Sequence, residues 1–231
     1  MKTSEPLRAL RRELASLSEE KYRAFSQKIT PTAYLILGVR VPALRQIARR
    51  LIRSEPFDFS ETPESFEEIM IEALLVAERK RTPQEKWRDI RRFLPRVDNW
   101  AVCDLFGGAL KTVRETPGFW RPLFLPLFSD RREFYVRFAA VISLSHFLTD
   151  RLIDEELSRL ALVRHEGYYA KMGVAWALSV AYVKFPNSTE PLLQSADLDP
   201  EIRRKAIQKI LESNRVSPEI KAELRAQRME N

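Results

Sequence analysis

Residues 168–184 read YYAKMGVAWALSVAYVK. Apolar side chains surround this stretch nearly all round, so it reads as a buried helix. Residues 133–148, EFYVRFAAVISLSHFL, read the same way. Their neighbours supply amphipathic partners. The segment 200–213, PEIRRKAIQKILES, puts Ile202, Ala206, Ile207 and Ile210 on one face. The segment 64–80 gives a broad face of Phe66, Ile69, Met70, Ile71, Leu74 and Leu75, set against Glu67, Glu68, Glu72 and Glu78. Sustained period-two alternation is lacking, and neither Asn-Gly nor Asp-Gly occurs to turn a hairpin, so a sheet is not expected.

Helix starts are marked by proline. Thr62-Pro63, Thr82-Pro83, Thr116-Pro117, Asp199-Pro200 and Ser217-Pro218 each place a capping side chain directly before Pro, which at the first helical position gives up no hydrogen bond. Thr82 with Glu85 also forms a capping box. With 14 prolines and only 6 glycines, the chain reads as short helices joined by tight turns. Roughly a dozen helices of about 10 to 18 residues suit stacked pairs of the HEAT or armadillo kind. The expected fold class is therefore all-α, one domain over residues 1–231, a curved solenoid whose concave face is the binding surface. Residues 54–63 read as a surface connection.

The 39 Lys and Arg against 32 Asp and Glu give a net charge of +7, which permits an anionic partner without identifying one. The lone cysteine, Cys103, excludes an internal disulfide and a multi-thiolate zinc site, and two histidines, His146 and His165, argue against a multi-His centre. No metal or cofactor is expected. Neither is a membrane span, because no apolar run approaches roughly 20 residues. A reducing cytoplasm is the expected compartment, and a monomer the expected state.

The densest chemical signal is Asp98-Asn-Trp-Ala-Val-Cys-Asp104, followed by Leu-Phe-Gly107-Gly108. Asp98 is placed to cap a helix. Trp100 and Asp104 then stand at i and i+4 on one face, with the two glycines one turn further on. Two helix-interior glycines cost about 1 kcal/mol each, so a close backbone approach or an open groove should offset them. Trp176 lies in the apolar helix 168–184, and Arg137 interrupts the run Phe134-Tyr-Val-Arg137-Phe-Ala-Ala. Such an arginine needs an internal carboxylate or an external phosphate. Asp104 is either a functional carboxylate or a structural partner of Arg137 or Lys171. Cys103 and His146 read as core residues and His165 as surface. Basic stripes occur at Arg40, Arg45 and Arg49, at Lys86, Arg88, Arg91, Arg92 and Arg96, and at Arg203, Arg204, Lys205 and Lys209. They either track a phosphate backbone or form solvated faces.

Four stretches together resemble the HEAT-like repeat DNA glycosylases of the AlkD type, over roughly residues 20–215. They are Leu35 to Arg45, Asp98 to Asp104, Phe134 to Ala139, and Tyr168 to Trp176. The resemblance implies a right-handed superhelix with a basic concave groove and a metal-free hydrolysis of cationic N3- and N7-alkylpurines in duplex DNA. It implies that Trp100 and Trp176 flank the deoxyribose, that Asp104 stabilises the oxocarbenium and positions water, and that Arg137 holds a phosphate. Arg40, Arg45, Lys171, Arg203, Arg204 and Lys205 are the further DNA-binding candidates, and a DNA binder would be nucleoid-associated. One departure stands out. Active members run a continuous helix where this chain has Thr30-Pro31, which disfavours a helix through 24–36. The chain looks closer to a divergent branch lacking that helix. The alternative is a catalytically weak or inactive DNA-binding or protein-interaction scaffold.

Overall fold

The structure, a computed structural model, describes residues 4–54, 57, 59 and 63–229. Among them it is all-helical, with thirteen α-helices and no strand; the one extended pairing is an isolated parallel bridge between Leu35 and Ser65. The chain divides into two compact units, Met1–Lys111 and Thr112–Asn231.

The first unit contains α1 (Glu5–Ser16), α2 (Glu20–Ile29), α3 (Val41–Arg53), α4 (Phe66–Glu78), α5 (Pro83–Phe93) and α6 (Trp100–Ala109). Helix α4 packs on α3, α5 and α6 and is buried along most of its length. Its start is Phe66, capped by the Ser65 hydroxyl, which accepts from the Glu68 amide; Thr62, the expected cap, lies outside the described residues. Glu67 and Glu68 were expected on an outer polar face. Each is 1% exposed, because each carboxylate has dedicated partners. The amides of Leu37, Gly38 and Val39 all point at Glu67, the closest at 2.8 Å. Arg11 donates to Glu68 at 3.0 Å. A carboxylate that accepts several N–H bonds can be buried charged, so these acids are part of the core.

Lys86 is buried for a related reason. Its ammonium donates to the carbonyls of Val76 at 2.6 Å, Ala77 at 3.0 Å and Arg79 at 2.7 Å. All three N–H groups are thus matched to acceptors at the C-terminus of α4, where the helix dipole favours a cation. Burial pushes the ammonium down to about 8 from the usual 10.5. Between about 8 and 10.5 the unfolded chain holds a proton here that the folded chain has released, so stability rises with pH across that window. Lys86→Met is expected to cost about 2 kcal/mol at neutral pH, because buried carbonyls lose their donor. It should also remove the alkaline rise. Urea melts of both proteins at neutral and alkaline pH measure both effects, and an equally stable variant would refute the capping role.

The second unit contains α7 (Pro117–Phe124), α8 (Glu133–Ile142), α9 (Ile153–Ala161), α10 (Tyr168–Lys184), α11 (Pro186–Gln194), α12 (Pro200–Glu212) and α13 (Pro218–Met229). Helix α10 spans the residues read as a buried helix and packs on α8 and α12. Gly173 permits the approach to α8: a Cβ there would lie 3.0 Å from Arg137 Cγ and 3.2 Å from its Cα. Helix α8 ends in a π turn, Ser143–Phe147, so residues 133–147 are helical with a change of pitch and Leu148 lies just beyond. The Ser143 hydroxyl there donates to buried Glu156, which also takes Arg121 at 2.9 Å. The prolines mark starts as read: Thr82 completes its capping box with Glu85, Asp199 accepts from the amides of Glu201 and Ile202, and α7 and α13 begin at Pro117 and Pro218, but the Thr116 side chain, expected to cap α7, makes no cap bond.

Candidate functional site

The chain breaks at Thr30-Pro31, and that break builds one wall of the site. Helix α2 ends at Ile29, and Thr30 is extended, with φ −119° and ψ 96°. The next residues are then bound to the start of α6. Asp98 was expected to cap α6. Asn99 does so instead, its fully buried side chain accepting from the Val102 amide at 3.0 Å. Asp98 is drawn away because its carboxylate accepts from the Thr32 hydroxyl at 2.9 Å, the Ala33 amide at 2.8 Å and the Asn99 side-chain amide at 2.7 Å.

Trp100 adds a second tether. Its indole N–H donates to the Ile29 carbonyl at 2.9 Å, satisfying an acceptor left over at the end of α2. The indole plane is fixed by this bond. Trp100→Phe keeps an aromatic face, smaller than the indole, and removes the donor, and should cost about 1 kcal/mol. Chemical denaturation measures it, and no loss would show that the bond does not hold α2.

Trp100 and Asp104, one turn apart on α6, are both half-buried. Both line an open concavity of about 340 Å³ within the first unit. Tyr22, Phe25 and Ile29 of α2 form its far wall, with Arg45 of α3 at the side. Phe25 is 55% exposed and Ile29 43%, so the wall is apolar and open to solvent. The concavity thus presents four aromatic side chains, Tyr22, Phe25, Phe66 and Trp100, with one carboxylate and one guanidinium, a lining suited to a flat, cationic or electron-poor guest. Gly108 is exposed, with nothing within 4 Å of where its Cβ would be, whereas Gly107 is buried, so the pair does not open the surface as a unit.

Trp176 belongs to the second unit. It is half-buried against the core there and lines a concavity of about 440 Å³ with Lys209, Glu212 and Arg215. Arg137 is 7% exposed and donates to the Tyr169 carbonyl at 3.2 Å.

Most of the cations read as phosphate contacts have partners of their own. Arg40 grips Glu19 through two bonds, at 2.7 and 2.9 Å, and lies over the Tyr22 ring at 4.8 Å. The Arg40 hydrogen bond holds the Glu19 carboxyl below its usual range. Arg45 lies 3.7 Å from Glu78. Lys171 is bound to Glu201 at 2.7 Å, which raises its ammonium above the ordinary lysine value. Lys205 shares Glu201 at 3.4 Å and lies 4.5 Å from the Tyr168 ring centroid. Arg203 donates to the Ser195 carbonyl, while Arg204 is exposed.

Cys103 is buried, as read. His146 is also buried, its Nδ1 accepting from Arg114 at 2.9 Å. His165 is half-buried rather than on the surface: its Nδ1 accepts from the Gly167 amide at 2.8 Å, which leaves Nε2 facing the Arg131 carbonyl at 3.2 Å. No group of three His, Cys, Asp or Glu able to hold a metal occurs among the described residues, and no helix there is long and apolar enough to cross a membrane.

Sequence reasoning missed the α2 wall and the tether formed by Asp98. The signal for the wall was the spacing of Tyr22, Phe25 and Ile29, three apolar residues on one face of an otherwise polar helix. No curated protein matches the chain. Residues 10–210 match the family model of DNA alkylation repair enzymes, and with that share of its length covered the chain belongs to that family.

Proposed function

We propose that this protein is a monofunctional DNA glycosylase that hydrolyses the N-glycosidic bond of cationic N3- or N7-alkylated purines in duplex DNA. The observation that carries the reading is the concavity that Asp104 lines one helical turn from Trp100, together with Tyr22, Phe25 and Phe66. A cationic base is already a good leaving group and needs no general acid. The C1′–N bond breaks, its electron pair neutralises the base, and positive charge develops on the sugar. A fixed carboxylate in a partly dry site stabilises that charge. Water then adds at C1′ and loses its proton, which leaves an abasic site.

Trp100 would stack on the deoxyribose with its plane already set by the bond to Ile29. In the second unit, Trp176 is the other stacking residue of this reading. Arg137 is the phosphate ligand, oriented by the Tyr169 carbonyl. Arg45 and Arg204 would add backbone contacts.

A second reading, a HEAT-like scaffold that holds DNA or protein without cleaving, is favoured by two observations. Helix α2 stops at Ile29, and Arg40, Lys171 and Lys205 are already committed to carboxylates. Chromatographic measurement of free base released from duplex DNA carrying 7-methylguanine separates the two. Release above the spontaneous rate, lost in an Asp104→Asn control, supports the glycosylase. Salt-dependent binding with no release supports the scaffold.

A further inference from the structure

The outer face of α5 has no role in the concavity or its chemistry. Helix α5 buries Lys86, Ile90 and Phe93 against the rest of its unit. On the opposite side Arg88, Arg91 and Arg92 are all exposed. At i, i+3 and i+4 they share one face and span about 6 Å along the axis. Lys80 and Arg81, also exposed, immediately precede the helix.

The fold neutralises arginines elsewhere in the same unit. Arg11 pairs with Glu64 and Glu68, Arg40 with Glu19, Arg50 with Glu13 and Arg96 with Glu72. Among the described residues, Arg88, Arg91 and Arg92 form no ion pair or hydrogen bond with a carboxylate. The nearest acids on the helix are occupied. Glu85 is bound in the capping box by Thr82 and feels Arg88 only as a nearby charge without a contact, and Asp89 faces Arg81 at 3.6 Å. Arg91 instead lies over the half-buried Trp87, 5.8 Å from the ring centroid.

We propose that this face of α5 is a second nucleic-acid contact, gripping the phosphodiester backbone of duplex DNA outside the Trp100–Asp104 concavity. All three cations are arginines, whose planar fork matches phosphate oxygens bidentately and is weakly hydrated. No base-reading group accompanies them, so the contact is sequence-independent. Its function is retention: the protein stays on undamaged DNA while the concavity is empty.

The test is binding of the full-length protein to an undamaged duplex, titrated over about 50 to 200 mM salt. The Arg88→Gln/Arg91→Gln/Arg92→Gln variant is expected to bind about tenfold more weakly at the low-salt end. The slope of log K against log salt should shrink by about 2 to 3, one counterion per lost phosphate contact. A control with the same change in net charge, Arg8→Gln/Arg12→Gln/Arg23→Gln, removes arginines already paired with Glu5 or Glu20 and should leave the slope close to wild type. An unchanged slope in the α5 variant overturns the proposal, as does an equal fall in the control, which would reduce the effect to net charge. Thermal melts confirm folding, and Arg88→Gln alone, with a slope change of about 0.9, serves if the triple variant is unstable. The readout uses undamaged DNA, so it stands whether or not the chain excises bases. If excision occurs, the triple variant should release 7-methylguanine from saturating DNA at the wild-type rate.

Discussion

Asp104→Asn should lower release of 7-methylguanine from duplex DNA by about 10²- to 10³-fold, the size of effect seen when one preorganised electrostatic group is removed from a transition state. The asparagine is nearly isosteric and removes only the charge that, in the proposed function, would face the developing oxocarbenium. Asp104 is half-buried at the rim of an open concavity, and asparagine keeps its size and an accepting oxygen, so the melting temperature should stay close to wild type. Asp104→Glu keeps the charge but displaces it by a methylene, and should recover part of the lost rate. Single-turnover excision at saturating enzyme, with melting curves on the same samples, measures both quantities. A large fall in stability with a proportionate fall in rate would make Asp104 a structural residue, and an Asn variant as fast as wild type would remove it from the chemistry.

Gly38→Ala should have the largest effect on stability, about 3 kcal/mol or more. Two independent constraints meet at this residue. Its φ is +91°, where a side chain is strained, and a Cβ would lie 2.7 Å from both the Glu19 carbonyl oxygen and Arg23 Cβ. The backbone cannot easily shift to relieve the clash. The Gly38 carbonyl accepts from the Glu19 amide at 3.0 Å, and its amide donates to buried Glu67 at 2.8 Å. Movement at Gly38 therefore disturbs the start of α2 and strips a buried carboxylate of a donor. Urea denaturation reads the loss; a cost below about 1 kcal/mol would mean that α2 is free to move away. Excision should fall along with stability, because Tyr22 and Phe25 on α2 wall the concavity.

The buried helices were legible because their signal is local. Helix α10 matches the stretch read from its apolar run, and the proline-marked starts are recovered wherever their residues are described. What failed was long-range. Glu67 and Glu68 looked like a polar face because their partners, Leu37 to Val39 and Arg11, lie about thirty and fifty-seven residues away. Asp98 looked like a cap because nothing in its neighbourhood showed that Thr32 and Ala33 would claim its carboxylate. In the site, the i, i+4 spacing put Trp100 and Asp104 on one face, and the structure keeps them there. The aromatic wall supplied by α2 was not visible, since it depends on the end of α2 being tied to α6. The basic stripes were equally ambiguous: Arg40, Lys171 and Lys205 are engaged by acids distant in the chain, whereas α5 leaves its arginines unspent.

The bond between the Trp100 indole and the Ile29 carbonyl makes the aperture of the concavity a latch. The same side chain that would meet the sugar also fastens the helix opposite. A guest that tilts the indole must break this bond, while the Asp98 carboxylate still holds Thr32 and Ala33 beyond the end of α2. A single hydrogen bond of about 1 kcal/mol is weak enough to open and close within a catalytic cycle. Under the proposed function, entry of a nucleotide that tilts the indole would therefore be coupled to the seating of Phe25 and Ile29 on α2.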